Sequence, residues 1–162
     1  MKSIDQWLEE YGESHRNKTN KLIHWICVPS IMFSVLGMLA AIPTLSLFNW
    51  APQQVGVFAN WAGVIIILAL LFYLRLSFMM FLGMALISVA MMFGVREVAK
   101  IQLAPLWAIC LGIFVVAWIF QFIGHKIEGK KPSFFKDLQF LLIGPAWLLG
   151  FIYRKIGLRY SN

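Results

Sequence analysis

Long apolar segments separated by short polar stretches dominate the chain. Apolar runs cover residues 22–42, 57–95, 103–124 and 134–153, and in the second run the only charge is Arg75. A helix that crosses a hydrocarbon core of roughly 30 Å needs about 20 apolar residues. A continuous helix over residues 57–95 would be about 58 Å long, so the chain must turn within this run. We place the turn at Arg75, which gives spans at residues 57–74 and 76–94.

The two ends of the chain are less uniformly apolar. Ser3 and Gln6 have the spacing of a capping box, and apolar residues follow at helical intervals. This pattern predicts a helix that lies in the membrane interface or packs on the protein's own surface. The last apolar segment, residues 134–153, begins with charged residues and contains a Gly-Pro pair. We expect a re-entrant or interfacial helical hairpin there, with a fifth span as the alternative.

Composition supports the same class. Of the 162 residues, 60% are hydrophobic and 13% are charged, which is too apolar for a soluble globule of this size. The sequence therefore predicts an all-α integral membrane protein with four transmembrane helices, and a single domain over residues 1–162. The net charge is +7. In a membrane protein, basic residues are enriched on the cytoplasmic side, where they contact anionic lipid headgroups, so this charge does not indicate nucleic acid binding.

The distribution of basic residues predicts the orientation. With a cytoplasmic N-terminus and a hairpin at residues 134–153, every Lys and Arg except Arg96 and Lys100 is cytoplasmic, which agrees with the positive-inside rule. Residues 43–54 lack Lys and Arg and contain Trp50, as is typical of a non-cytoplasmic loop. Residues 1–21 have no apolar run, so we expect no cleaved signal peptide.

All three histidines fall on one side of the membrane in this topology. His15 precedes the first span, His24 lies at the start of that span, and His125 follows the end of the span at residues 103–124. Nine residues of helix rotate by about 900°, which would leave His15 and His24 on opposite faces. A shared site therefore requires a break between them.

The residues between the two histidines predict such a break. Asn17, Thr19 and Asn20 favour caps and turns, and Thr19 or Asn20 is a candidate N-cap of the first span. On the other side, His125 and Glu128 share a helix face if the fourth span continues past the membrane. Three imidazoles and one carboxylate suit iron(II), zinc or manganese, and ligand type alone does not choose among them. Solvated histidines are the alternative.

Two motifs give the chain a resemblance to a known family, the membrane-embedded 2-hydroxy fatty acid dioxygenases. The resemblance covers nearly the whole chain. The motifs are His15-x-Asn17-x-x-Asn20-x-x-x-His24-x-x-x-x-Pro29 and Gln121-Phe122-x-Gly124-His125, followed by Glu128 and Pro132.

This resemblance implies an iron(II)-dependent enzyme of fatty acid α-oxidation, of the kind known from phytosphingosine breakdown in the fungal endoplasmic reticulum. Such an enzyme uses O2 to shorten a long-chain 2-hydroxy fatty acid by one carbon and releases CO2. The metal ligands that it implies are His15, His24 and His125, with Glu128 near the family's acidic position. Side chains adjacent to these ligands are candidates to pair with the substrate carboxylate or to orient the imidazoles, namely Arg16, Lys126, Asn17, Asn20 and Gln121.

Two other functions use the same residues differently. A metal-dependent membrane lipid hydrolase would use a metal-bound water and need no oxygen. A non-catalytic membrane scaffold would need no metal. For location we expect a bacterial inner membrane with the site on its cytoplasmic side, or the endoplasmic reticulum in a eukaryote.

Overall fold

Helices account for all the regular structure of the described residues, which are 2–44, 47–49, 51–129 and 134–160 of a computed structural model. Within these ranges there is no strand, and the predicted all-α class is confirmed. Trp50 and Pro132, which carried sequence predictions, and Lys130 and Lys131 lie outside the described residues. The helices are α1 (Ile4–Gly12), α2 (Lys18–Ala40), a 3-10 helix (Gln53–Phe58), α3 (Trp61–Leu76), α4 (Phe78–Lys100), α5 (Leu106–Glu128) and α6 (Phe134–Lys155).

Three of the described helices, α2, α4 and α5, are long and apolar enough to cross a membrane, and α3 is a shorter apolar helix. Their outward surfaces are apolar. Ile26, Ile67 and Leu86 are 63%, 61% and 72% exposed, and many other large apolar side chains are exposed with them. An apolar surface of this extent indicates contact with lipid, so the protein is a membrane protein.

The tight turn predicted near Arg75 lies two residues later, at Ser77. Its backbone N–H donates to the Tyr73 carbonyl at 2.8 Å, and its side-chain oxygen accepts from the Met80 N–H at 3.3 Å. One extended residue, with φ −166° and ψ 130°, therefore ends α3 and caps α4. The predicted turn is confirmed, but its position is corrected because a serine cap, and not the charge of Arg75, determines it.

Helix boundaries differ from the prediction at two further places. The third helix begins at Trp61 and not at residue 57, because Asn60 caps it by accepting from the Gly63 N–H at 3.3 Å. Arg96 and Lys100, which follow the predicted span at residues 76–94, lie within the last turns of α4.

The most extensive helix pair is α2 with α5. At Gly37 the two helices approach so closely that an added Cβ would collide with the Cys110 sulfur. Gly112 of α5 makes no such close approach, because a Cβ on it would meet nothing within 4 Å. Both cysteines, Cys27 and Cys110, are buried and free.

The C-terminal segment is a single helix, so the predicted hairpin is wrong. Pro145 lies inside α6, where membrane proteins tolerate the lost hydrogen bond. The Tyr73 hydroxyl donates to the Leu142 carbonyl at 2.5 Å, and the Tyr153 hydroxyl donates to the Met79 carbonyl at 2.7 Å. Leu142 and Tyr153 are about 16 Å apart along α6, yet their partners flank the same Ser77 turn. This part of α6 therefore runs across the ends of α3 and α4.

The N-terminal helix packs against α6 at the same end of the bundle. Ser3 and Gln6 form the predicted capping box. Ile4, Leu8 and Tyr11 are buried in one core cluster with residues of α6. The apolar face of α1 is thus covered by protein. Of the two predicted positions for this helix, the structure shows the one packed on the protein's own surface.

Candidate metal centre

A break in the helix places His15 at the end of the bundle. The first helix ends at Gly12 and α2 begins at Lys18, so the predicted break is confirmed. Asn17 is the N-cap, since its side-chain oxygen accepts from the N–H groups of Thr19 at 2.8 Å and Asn20 at 3.3 Å. The prediction of Thr19 or Asn20 as the cap is wrong, because the helix starts earlier than the apolar run.

The other two histidines come from the helix pair that forms the centre of the bundle. His24 lies near the start of α2, and His125 lies in the last turn of α5. Both are buried, as is His15, with exposures of 1%, 8% and 3% respectively. The fourth predicted span does continue past its apolar run, to Glu128.

The three imidazoles form one compact cluster. Their candidate ligand atoms all lie within 4.8 Å of one another. The ring centroids of His15 and His24 are 4.2 Å apart, those of His24 and His125 are 5.1 Å apart, and those of His15 and His125 are 5.5 Å apart. Solvated histidines, the alternative considered from sequence, are inconsistent with this burial and contact.

Backbone carbonyls fix the orientation of two of the rings. His15 Nδ1 lies 2.6 Å from the Tyr11 carbonyl oxygen, and His24 Nδ1 lies 2.9 Å from the Asn20 carbonyl oxygen. A carbonyl only accepts, so Nδ1 carries the proton and donates in each ring. In the neutral ring Nε2 then keeps its lone pair, which is the arrangement that metal-binding histidines commonly show.

Glu128 joins the His15 loop to α5. One of its carboxylate oxygens accepts from the Arg16 N–H at 2.8 Å, and the other accepts from the Asn17 N–H at 2.9 Å and the Asn20 side-chain amide at 3.0 Å. Glu128 does not belong to the group of donor atoms that the histidines form in the described part of the chain. The structure thus gives Glu128 contacts that position the loop of His15.

Asn20 and Gly124 bring α2 and α5 together beside the cluster. The Asn20 amide is fully buried and also donates to the Ser14 carbonyl at 3.2 Å. A Cβ on Gly124 would collide with the Asn20 side-chain oxygen. Only glycine at position 124 therefore leaves room for this amide one residue before His125.

Two aromatic side chains that sequence reasoning did not assign to the site form one wall of it. Tyr11 stacks on His15 with ring centroids 4.2 Å apart, and Trp147 lies 5.3 Å from the same ring. Both are buried. Tyr11 is visible in the sequence only as an apolar position of α1, and nothing in the sequence links Trp147 to His15.

The remaining predicted site residues are distributed around the cluster. Arg16 and Lys126 are exposed, and each is adjacent to a histidine in the chain. Asn17 is exposed and acts as the helix cap. Gln121 is buried one turn before His125 on the same face of α5.

The donor set fits a divalent transition-metal ion. Three buried imidazole nitrogens that lie within 4.8 Å of one another suit iron, zinc or manganese. The carbonyl-bound Nδ1 atoms and the aromatic wall supply the surroundings that usually hold metal-binding imidazoles in place.

Comparison with known proteins agrees with the motifs. A family model described as "Mpo1-like: 2-hydroxy-palmitic acid dioxygenase Mpo1-like" matches residues 1–156. The chain is 28% identical over 149 residues to "2-hydroxy-palmitic acid dioxygenase MPO1" of Saccharomyces cerevisiae, a match that covers 91% of this chain and 78% of the yeast protein. No solved structure matches significantly.

Proposed function

The chain belongs to the 2-hydroxy-palmitic acid dioxygenase Mpo1-like family, and on this premise we propose that it is an iron(II)-dependent dioxygenase of long-chain 2-hydroxy fatty acids. The proposed reaction converts the acid and O2 into a fatty acid one carbon shorter, CO2 and water. The observation that carries the proposal is the buried cluster of three histidines, because such a donor set suits a redox-active metal.

The reaction balances without another reductant. The bond between C1 and C2 breaks, C1 leaves as CO2, and C2 becomes the carboxyl carbon of the shorter acid. These changes release four electrons, which reduce O2. Iron(II), when bound, would supply the one-electron chemistry that O2 requires.

We assign the metal ligands to the three histidines, and we assign Glu128 to the positioning of His15. The carboxylate accepts from the consecutive backbone N–H groups of Arg16 and Asn17, so it fixes the loop that carries His15. Asn20 orients His24 through its backbone carbonyl. Gln121, on the same face as His125, is assigned to orient that ring or the substrate.

The substrate headgroup would bind at the polar end of the cluster. Arg16 and Lys126 are exposed and flank it in the chain, so their charges are available to pair with the carboxylate. Tyr11 and Trp147 pack against His15 and exclude water from that part of the ring. The headgroup is thereby held at the interface while the alkyl tail enters the membrane.

For topology we propose one membrane-embedded domain over residues 1–162, with α2, α3, α4 and α5 as four spans. Helices α1 and α6 would lie at the cytoplasmic interface, supported by the hydrogen bonds of α6 to both sides of the Ser77 turn. The histidines are then on the cytoplasmic side. The membrane is the bacterial inner membrane, or the endoplasmic reticulum if the source is eukaryotic.

An aerobic and anaerobic assay tests the function. The detergent-purified protein is loaded with iron(II) and given 2-hydroxypalmitate, and products are measured by mass spectrometry. We expect pentadecanoic acid and CO2 in equal amounts, with equal consumption of O2, and no product without O2. No product from 2-hydroxypalmitate, together with O2-independent release of fatty acid from an ester lipid, would instead support a metal-dependent lipid hydrolase. No bound metal and no turnover of either substrate would support a scaffold.

A further inference from the structure

A pocket of about 340 Å³ lies between α1, α6 and Tyr160, which follows α6 in the chain. Its volume is within the range of about 300–1,000 Å³ that is usual for ligand sites. Its lining consists of three buried apolar or aromatic side chains and three exposed charged ones, namely Leu8, Trp147, Tyr160, Asp5, Glu9 and Arg154. The pocket therefore combines charged groups with an apolar wall.

The charged side chains of this pocket carry opposite signs on its two helices. Asp5 and Glu9 are four residues apart and share one face of α1, whereas Arg154 lies on α6. Neither carboxylate forms an ion pair in the described part of the chain, and Arg154 forms none there either. Two carboxylates and one guanidinium thus line the same pocket without pairing with each other.

Aromatic side chains hold the guanidinium of Arg154 in place. It donates a hydrogen bond to the Tyr160 hydroxyl and lies over the Phe151 ring, 4.7 Å from the ring centroid. Tyr160 is itself anchored, since it belongs to the buried core cluster that also contains Leu8 and Trp147. A guanidinium has five N–H donors, so Arg154 keeps donors for a ligand.

The opposite charges select the chemical class of the ligand. A simple anion beside Arg154 would be repelled by the two carboxylates, and a simple cation beside Asp5 and Glu9 would be repelled by the guanidinium. A small zwitterion with a primary ammonium and a phosphate satisfies both signs. Its ammonium donates to the carboxylates, and its phosphate accepts from the guanidinium.

Exposed apolar side chains on the same turns of α6 indicate where this zwitterion comes from. Ile152 and Ile156 flank Arg154 in the chain and are 43% and 60% exposed. In a membrane protein such side chains contact lipid, so the pocket lies where the polar surface meets the bilayer. We propose that it binds the headgroup of an aminophospholipid such as phosphatidylethanolamine. Free phosphoethanolamine has the same charged groups and is the competing, soluble source.

Trp147 joins this pocket to the histidine cluster. Its side chain lines the pocket, and its ring centroid is 5.3 Å from that of His15 and 5.2 Å from that of Tyr11. A headgroup in the pocket would therefore restrain Trp147 and, through it, the ring of His15. None of the three histidines lines the pocket, so lipid binding there does not depend on the proposed enzymatic function.

The experiment follows Trp147 by fluorine NMR. The full chain is labelled with fluorotryptophan and reconstituted in phosphatidylcholine nanodiscs, and the resonance of Trp147 is assigned with the Trp147→Phe variant. We expect a shift of this resonance that saturates as phosphatidylethanolamine replaces phosphatidylcholine. Phosphatidylglycerol, whose anionic headgroup has no ammonium, should give no comparable shift.

Two variants each remove one charge from the pocket, and each has a matched control at the next residue. Arg154→Gln and Glu9→Gln should weaken the apparent affinity for phosphatidylethanolamine by about fivefold or more, because each loses a charge-assisted hydrogen bond. Lys155→Gln and Glu10→Gln remove the same charges outside the lining of the pocket and should respond as the wild type does. Circular dichroism confirms that each variant is folded.

Three results would overturn the proposal. They are an equal shift with phosphatidylglycerol, unchanged affinity in both Arg154→Gln and Glu9→Gln, and an equal loss of affinity in Lys155→Gln, which would indicate general attraction between charges and lipid. A saturating shift with free phosphoethanolamine and none with the lipid would overturn the lipid as its source and assign the pocket to a soluble zwitterion.

Discussion

Removing the carboxylate of Glu128 should weaken the metal centre without removing a ligand. Glu128 accepts three hydrogen bonds, from the backbone N–H groups of Arg16 and Asn17 and from the side-chain amide of Asn20. In Glu128→Ala, water can replace the carboxylate at Arg16 and Asn17, which are exposed. The buried Asn20 amide loses a partner that is harder to replace. We estimate a loss of about 2–4 kcal/mol of stability.

The effect on activity should be larger than the effect on insertion, because the lost contacts hold the loop of His15. We expect metal affinity or turnover to fall by roughly 10- to 100-fold, measured by titration with a metal-buffering chelator and by the 2-hydroxypalmitate assay. Glu128→Gln should be intermediate, since the amide keeps one acceptor oxygen and loses the charge.

Glu97→Ala is the matched control. Glu97 forms an exposed ion pair with Lys100 at 2.6 Å, and solvent-exposed pairs of this kind add little to stability. Wild-type metal affinity and stability in Glu128→Ala would refute the positioning role. A complete loss of metal in a folded Glu128→Ala protein would instead identify Glu128 as a ligand.

Three further predictions follow from the same geometry. Each single His→Ala change in the cluster should abolish turnover while membrane insertion, measured by fractionation, stays intact; wild-type turnover in any one variant would remove that histidine from the site. Gly124→Ala should lower the melting temperature and activity because its Cβ collides with the Asn20 oxygen, whereas Gly112→Ala should change neither. Equal melting temperatures for the two variants would contradict the close approach of α2 and α5. A cysteine placed at Arg159 should be labelled by impermeant reagents only from the cytoplasmic side, and labelling from outside would make α6 a fifth span.

The all-helical class and the clustering of the three histidines could be predicted, because the length and hydrophobicity of the apolar runs and the distribution of basic residues largely determine them. Apolar runs of membrane-crossing length leave helices as the main choice, and the basic residues then orient them. His15, His24 and His125 had to share one end of the bundle once the span count and orientation were set. The break before α2 was also visible, since Asn17 and its neighbours favour caps.

Contacts distant in sequence explain most of what could not be predicted. Glu128 lies three residues after His125, and only the fold shows that its carboxylate also accepts from the backbone N–H groups of Arg16 and Asn17. Trp147 reaches His15 through the packing of α6 on α1, which leaves no local pattern. Pro145 suggested a hairpin, but α6 continues through it because a membrane helix tolerates one missing hydrogen bond.

Metal analysis of the purified protein tests directly whether the three histidines bind one metal ion. The wild-type chain and the three single His→Ala variants are extracted in mild detergent, loaded anaerobically with iron(II), desalted and analysed for metal per chain, with circular dichroism to confirm that each is folded. We expect about one iron ion per wild-type chain, bound by nitrogen ligands that include all three imidazoles, and little or none in each variant. A folded wild-type protein that retains no metal, or three variants that retain as much as the wild type, would contradict it.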